Sequence, residues 1–243
     1  MLKLVMLKKT FLLCFALAVS LSGVVDAGAA GKKHYGYYLD LAAQSTSQIA
    51  APPADGSDAD KKDLALLRDW QAKRTPEECE RAKGHTSAAY AELFGDVSPL
   101  PLPLSKKAAA ILKKIKKDTD RTVDAIKKHY NRKRPFNRDA ELKPCIDPAK
   151  GNIGPFAYPS GHATIARVFA LLLSDLAPEN KEIYLAKADV AALNRVLSGV
   201  HHPSDIEAGK RLADSIYAQF QKSPAFQKDF EKLRSLIKVP AKI

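Results

Sequence analysis

The residues of this chain best suited to chemistry lie between Asn194 and Gly209, NRVLSGVHHPSDIEAG. Arg195 offers a planar fork that matches two oxygens of one phosphate. His201 is a nitrogen nucleophile or base, and Asp205 follows four residues later. A helix opening at Pro203, in the first-turn position proline prefers, brings that carboxylate back under the imidazole. There it fixes the tautomer and steadies the imidazolium that forms on attack. By itself the stretch reads first as a polar loop between two helices.

Two further stretches carry matching chemistry. Lys127 and Arg134 stand seven residues apart. On one continuous helix, two turns place them on the same face, about 10 Å apart along the axis. Two such cations can converge on one anion. In Pro159-Ser160-Gly161-His162, Ser160 is a natural N-cap. The first-turn N–H groups at Gly161 and His162 then form the kind of helix terminus that binds phosphate. His162 is placed there to give a proton to a leaving oxygen. A lone Ser-Gly-His reads first as an ordinary capped helix.

These residues need elements to hold them. Ala108, Ile111, Leu112, Ile115, Thr119, Thr122 and Ile126 recur at helical spacing, and this periodicity predicts a long helix from Ser105 to near Lys133. It stops there because the residue before Pro135 is pushed out of the α region. Turn residues crowd 136–158, which reads as a long loop of the kind that carries function. A helix from Ser160 to about Leu176 is apolar all round over 168–173, so it is central and buried. Pro178 opens the next, with Ala186, Val190, Leu193 and Leu197 as one stripe. Helices from Pro203 to Gln221 and from Ser223-Pro224 onward complete the C-terminal part, the last with Phe226, Phe230, Leu233 and Ile237 on one face. Upstream, a helix spans Asp60 to Lys73, and Thr75, Pro76 and Glu78 form a capping-box start for another. No strand is predicted, so the fold class is all-α: a single-domain helical bundle over 61–243.

The chain has 243 residues, 46% hydrophobic and 27% charged, with formal charge +12. That balance fits one globular core and anionic partners. The lysines at 106, 107, 113, 114, 116 and 117 interleave with apolar residues but not aromatic ones, so they read as the wet face of a helix and not as a nucleic-acid groove. Residues 1–27 look like a signal peptide: Lys3, Lys8 and Lys9 precede an apolar run from Phe11 to Val25, and small residues follow from Ala27. Cleavage after Ala27 or Ala29 fits. Loss of 1–27 removes three Lys and one Asp, leaving 36 − 26 = +10. The run is short for a span, so no stable membrane insertion is expected after cleavage. Residues 28–60 read as an extended arm pinned by Tyr35, Tyr37, Tyr38 and Leu39. Cys14 leaves with the signal, and Cys79 and Cys145 are then the remaining pair, a disulfide in an exported protein.

Taken in order, Lys-x6-Arg-Pro, Pro-Ser-Gly-His and Arg-x5-His-x3-Asp resemble the three-part signature of the type 2 phosphatidic acid phosphatase (PAP2) superfamily, which also holds vanadium haloperoxidases. HYNRKRPF, YPSGHATIA, HHPSDIEAG and the terminal SPAFQ resemble its soluble, secreted branch, the bacterial class A nonspecific acid phosphatases. The resemblance is strong from about Ser105 onward and loose before it. It implies a PAP2-type helical bundle and a periplasmic or secreted acid phosphatase acting on small phosphomonoesters through a phosphohistidine, with phosphotransferase as a side activity. It implies no metal and no cofactor. Lys127, Arg134, Ser160, Gly161 and Arg195 would hold phosphate oxygens. His201 would attack phosphorus, Asp205 would orient it, and His162 would protonate the leaving alcohol and then activate water. The family usually has Ser where Asn194 stands; Asn still hydrogen-bonds, so the departure touches positioning and not chemistry. His85, His129 and His202 receive no role, with His202 expected at the solvent or the cleft rim. A vanadate-dependent haloperoxidase and a lipid-phosphate phosphatase at the membrane surface are the competing enzyme readings; a non-enzymatic basic binding protein is the other. Homo-oligomerisation stays open.

Overall fold

The helix Gly161–Leu176 (α5) lies at the centre of a computed structural model that describes residues 36–83, 87–148, 151 and 153–237. Its sequence explains its place. Val168, Phe169, Ala170, Leu172 and Leu173 leave it no polar face over more than one turn, and all five are buried. Each of the larger ones contributes about 1.5–3 kcal/mol relative to exposure. The chain divides into Met1–Lys33, which lies outside the described residues, and His34–Ile243, which holds everything below. The expected signal peptide therefore falls outside the described residues, as do Tyr35 and His85.

Around α5 stand the other α-helices: Asp58–Lys73 (α1), Pro76–Lys83 (α2), Tyr90–Phe94 (α3), Lys106–Tyr130 (α4), Lys181–Leu197 (α6), Pro203–Lys222 (α7) and Pro224–Arg234 (α8). The main partners of α5 are α6 and α7. Among the described residues there is no strand; Lys133 and Phe156 form an isolated antiparallel bridge. None of these helices is long and apolar enough to cross a membrane. The fold is all-α, as the periodicities predict.

Local chemistry sets most boundaries. Ser57, Ser105, Ser160 and Ser223 each cap a helix by accepting from a first-turn N–H. Thr75 and Glu78 exchange the two bonds of a capping box at 3.2 and 2.9 Å. The apolar face of α4 is buried along its length, from Ala108 to Ile126. Within that face stands Asp118, fully buried, which accepts the backbone N–H groups of Tyr37 and Tyr38 at 2.9 and 2.7 Å. This carboxylate, not the tyrosine rings alone, holds the described part of the arm. The Tyr38 hydroxyl then donates to Asp229 of α8 at 2.9 Å. The arm is not uniformly extended, since Leu41–Ala43 and Thr46–Gln48 form 3-10 turns.

Three expectations need correction. First, α4 ends at Tyr130, because Asn131 takes the left-handed conformation (φ 51°) that Asn tolerates at a helix C-terminus. Arg134 is therefore not on α4. Second, Ala186, Val190 and Leu193 do not face the core; Val190 is 53% exposed. The buried residues of α6 are Tyr184, Ala188, Ala191, Ala192, Arg195, Val196 and Leu197, so of the expected stripe only Leu197 is buried. Alanines at 188, 191 and 192 fill the middle of that face, so the most apolar stripe is not the buried one. Third, α3 was not expected; it is too short for periodicity to reveal.

Cys79 of α2 and Cys145 of the long loop are joined by a disulfide. Arg74 adds a bond from Nη1 to the carbonyl of Leu197 at 2.6 Å, and the Cys145 N–H reaches the carbonyl of Ser198 at 2.9 Å. The loop before the site is thus tied to the end of α6.

Candidate active site

Residues from five segments meet at one cleft of about 700 Å³, lined by Lys127, Arg134, Gly161, His162, Arg195 and His201 among others. The end of α4 supplies Lys127. The chain then reverses at Asn131, and Ala157 N–H bonds to the Arg132 carbonyl at 2.8 Å. That reversal, not a shared helix face, brings Arg134 to the cleft beside Lys127. The start of α5 supplies Gly161 and His162, and the end of α6 supplies Arg195; Ser160, expected to hold a phosphate oxygen, is 0% exposed behind them and does not line the cleft, because its hydroxyl is the helix cap. The turn before α7 supplies His201, and Asp205 sits in the first turn of α7.

The start of α5 is fixed from two sides. Ser160 Oγ accepts from Ala163 N–H, and Ser160 N–H donates to the Asp205 carbonyl at 2.9 Å. The helices can approach because residue 209 is glycine. A Cβ there would stand 2.7 Å from the Ser160 carbonyl oxygen. The first-turn N–H groups of α5 have no acceptor within their own helix. Gly161 is on the cleft wall, where the lack of a side chain lets a ligand come close.

His201 is buried, and its tautomer follows from its neighbours. Nε2 stands 2.7 Å from Arg134 Nη1, and Nδ1 stands 3.2 Å from Asp205 Oδ2. A guanidinium can only donate and a carboxylate can only accept. Nδ1 therefore carries the proton and Nε2 the lone pair, on the cleft side. Burial, with the positive charge of Arg134 next, holds the imidazole well below its ordinary value. The ring is neutral and nucleophilic in mildly acidic solution.

Asp205 is buried and carries four donors. Arg132 Nη1 reaches Oδ1 at 2.7 Å; Oδ2 accepts from the His202 N–H at 2.8 Å, His202 Nδ1 at 3.0 Å and His201 Nδ1 at 3.2 Å. Burial pushes this carboxyl up, but the donors of His201 and His202 outweigh it and hold it well below the usual carboxylate range.

The cations carry the electrostatics. Burial, then the charge of Arg134, pulls the Lys127 ammonium down to about 7. Its Nζ donates to the carbonyls of Phe156 and Ala157 at 2.8 and 3.2 Å. Arg134 also donates to the carbonyls of Gly154 and Val200, at 3.0 and 2.9 Å. Arg195 is 3% exposed, and among the described residues its Nε and Nη1 have no hydrogen-bond partner. Burial, followed by the charge of Arg134, lowers it to about 10, which leaves it charged. Buried N–H groups without partners are costly, so a guanidinium held this way is built for an acceptor that arrives from solution.

Sequence reading missed a layer behind the cleft. Arg132 Nη2 reaches Asp60 at 3.2 Å and Asp63 at 2.9 Å; Arg138 reaches both oxygens of Asp60 at 2.6 Å. Asp63 also accepts from the N–H of Ser204 at 3.2 Å. His202, expected at the solvent or the rim, is 0% exposed and part of this layer. A signal existed. Asp60, Asp63, Leu64 and Leu67 share one helical face, and carboxylates on an apolar face must find buried partners. His129 lies outside the site and packs edge-on against Tyr130. Among the described residues no group of three or more His, Cys, Asp or Glu is arranged to hold a metal.

Residues 109–214 match the PAP2 superfamily model, and that range contains every cleft cation and histidine named above. The chain is 29% identical over 213 residues to a non-specific acid phosphatase of Providencia stuartii, covering 82% of this chain and 83% of that one. It is 34% identical over 112 residues to a non-specific acid phosphatase of Salmonella typhimurium, covering 45% of this chain and 44% of that one. Among solved structures it is similar in fold to a transmembrane PAP2 type phosphatidylglycerolphosphate phosphatase from Bacillus subtilis, with TM-score 0.50 and 20% identity over 69% of this chain and 87% of that one.

Proposed function

We propose that this chain, which carries a PAP2 superfamily domain, is an acid phosphatase that hydrolyses small phosphomonoesters through a phosphohistidine, without a metal. The observation that carries the reading is Arg195: a buried guanidinium whose Nε and Nη1 are unpartnered among the described residues, in the same cleft as His201, whose Nε2 carries a lone pair and no proton.

The substrate phosphoryl group docks among Lys127, Arg134, Arg195 and the first turn of α5, with Ser160 and Gly161 fixing that turn. Those donors neutralise the charge spread over the equatorial oxygens as the bond to phosphorus loosens, the main demand of phosphoryl transfer. His201 Nε2 attacks phosphorus, the P–O bond to the alcohol breaks, and His162 gives its proton to the leaving oxygen. Asp205 steadies the imidazolium-like phosphohistidine through Nδ1–H. In the second step water loses a proton to His162 and attacks phosphorus; the P–N bond breaks and phosphate leaves. An alcohol in place of that water gives the phosphotransferase side reaction.

The disulfide and the basic-then-apolar start of the sequence support export to the periplasm or beyond, with residues 1–27 removed. Phosphate release from p-nitrophenyl phosphate in EDTA tests the activity, and orthovanadate should inhibit it as a transition-state mimic. Activity that vanishes in EDTA and returns with Zn²⁺ or Mg²⁺ overturns the metal-independent reading.

A further inference from the structure

Asp205 serves two imidazoles, not one. Both ring Nδ1 atoms reach the same oxygen, Oδ2, and the bond to the nucleophile is the longest of the three that this oxygen accepts. His202 sits between Asp205 and Arg138, whose Nη1 lies 3.2 Å from His202 Nε2. Since Arg138 only donates, His202 Nε2 is the acceptor and its proton lies on Nδ1, toward Asp205. Arg138 is itself clamped by both oxygens of Asp60, in the first turn of α1. The orientation of the His202 ring is thus set from α1, through a path that touches neither the cleft nor His201.

We propose that His202 is a positioning residue: its main-chain N–H and its Nδ1–H hold Oδ2 of Asp205 and limit the share of that oxygen available to His201. The pH consequence rests on the phosphatase reading above. His201 faces Arg134 from the segment after α4 and Lys127 from α4, and shares its cleft with His162 from α5 and Arg195 from α6. Asp205 from α7 is the one carboxylate in contact with it among the described residues. That carboxylate is the group that would favour protonating His201, and its charge is divided among four donors. His202 therefore helps keep Nε2 unprotonated, and the nucleophile competent, as the pH falls. His202 faces Asp205 and Arg138, with Asp60 behind Arg138, so its own hydrogen bonds do not depend on substrate.

Two variants test this. His202→Asn keeps an N–H donor where Nδ1–H stands; His202→Leu fills similar volume with no donor. In His202→Leu, Oδ2 passes to His201, the imidazolium is stabilised, and the acid limb of kcat/KM moves up by about one pH unit. In His202→Asn the limb stays near the wild-type position. An unmoved limb in His202→Leu, or equal displacement in both variants, overturns the proposal. The tautomer of the wild-type protein is a second test, independent of folding of the variants and of any activity. Long-range ¹H–¹⁵N correlation should place the His202 proton on Nδ1, and a proton on Nε2 overturns the proposal. A wild-type protein that releases no phosphate from any ester refutes the activity reading alone, and the tautomer then decides for His202.

Discussion

Nε2 of His201 lies 2.7 Å from Nη1 of Arg134. The lone pair of His201 is therefore engaged by one of the cations proposed to hold the substrate. A phosphoryl oxygen arriving at Arg134 takes over that N–H and leaves Nε2 facing phosphorus. The same contact disfavours protonation of His201, so Arg134 has two effects that a variant should separate. Arg134→Ala should lower kcat/KM by about 10²–10³-fold, the usual effect of losing one transition-state donor. It should also move the acid limb of kcat/KM upward, because the positive charge beside Nε2 is gone. A pH–rate profile whose acid limb does not move shows that Arg134 acts on phosphate alone.

Lys127 should set the alkaline limb of the free enzyme. Its value is depressed to about 7, so the ammonium is present below that pH and lost above it. Binding of a phosphate dianion needs the cation, so kcat/KM should fall above about 7. In the bound complex the phosphate favours the charged form, and the corresponding limb of kcat should lie at higher pH. Lys127→Arg keeps its charge throughout this range, and its kcat/KM should lose that limb. Steady-state rates with p-nitrophenyl phosphate between pH 5 and 9 (roughly two units either side of the Lys127 value) measure both limbs.

His201 and His162 should fail differently. On the proposed mechanism His201→Ala removes the nucleophile, so no phosphoenzyme and no turnover should appear with any ester. His162→Ala removes the acid. A sugar phosphate, whose leaving group needs a proton, should lose most of its rate, while p-nitrophenyl phosphate should still phosphorylate His201. Rapid quench with labelled substrate, kept alkaline to preserve the acid-labile bond, detects the phosphoenzyme. Equal losses with both leaving groups reject the role given to His162.

Gly209→Ala should act on stability and on the site together. The added Cβ meets the carbonyl of Ser160, the cap of α5, at 2.7 Å and the Ala163 Cβ in its first turn at 3.1 Å. Separating α5 from α7 should cost about 1–3 kcal/mol, or about 2–4 °C in Tm for each kcal/mol. Because Ser160 N–H is bonded to the Asp205 carbonyl, kcat should fall as well. Calorimetry alongside kinetics reads both; an unchanged Tm removes the argument from close approach.

The Cys79–Cys145 bridge closes 66 positions of chain. By the chain-entropy estimate its loss should cost about 4 kcal/mol. Denaturant titration of Cys79→Ser against the wild type measures it. Thiol titration of unreduced, denatured mature protein should find no free thiol at Cys79 or Cys145.

The sequence by itself determined most of what is local. Helix starts followed from Thr75, Ser105, Ser160 and Ser223, because a capping oxygen bonds an N–H only two or three residues away. The burial of α5 followed from an apolar run with no polar side. The relation of His201 to Asp205 followed from a four-residue spacing across the start of α7. The cleft residues were legible only together: each segment alone reads first as ordinary structure, and it is the three in order that resemble a known signature. What depends on the path of the chain between helices was decided only by the tertiary structure. The left-handed turn at Asn131 moved Arg134 off α4 and turned a helix-face argument into a chain reversal. Close packing of α6 on α5 buried Ala188 and Ala191 and left Val190 and Leu193 outside. The layer of Asp60, Asp63, Arg132, Arg138 and His202 joins residues up to about 140 positions apart; sequence spacing carries no information about such pairs, because their geometry is set by how α1 packs on α7, not by the period of either helix.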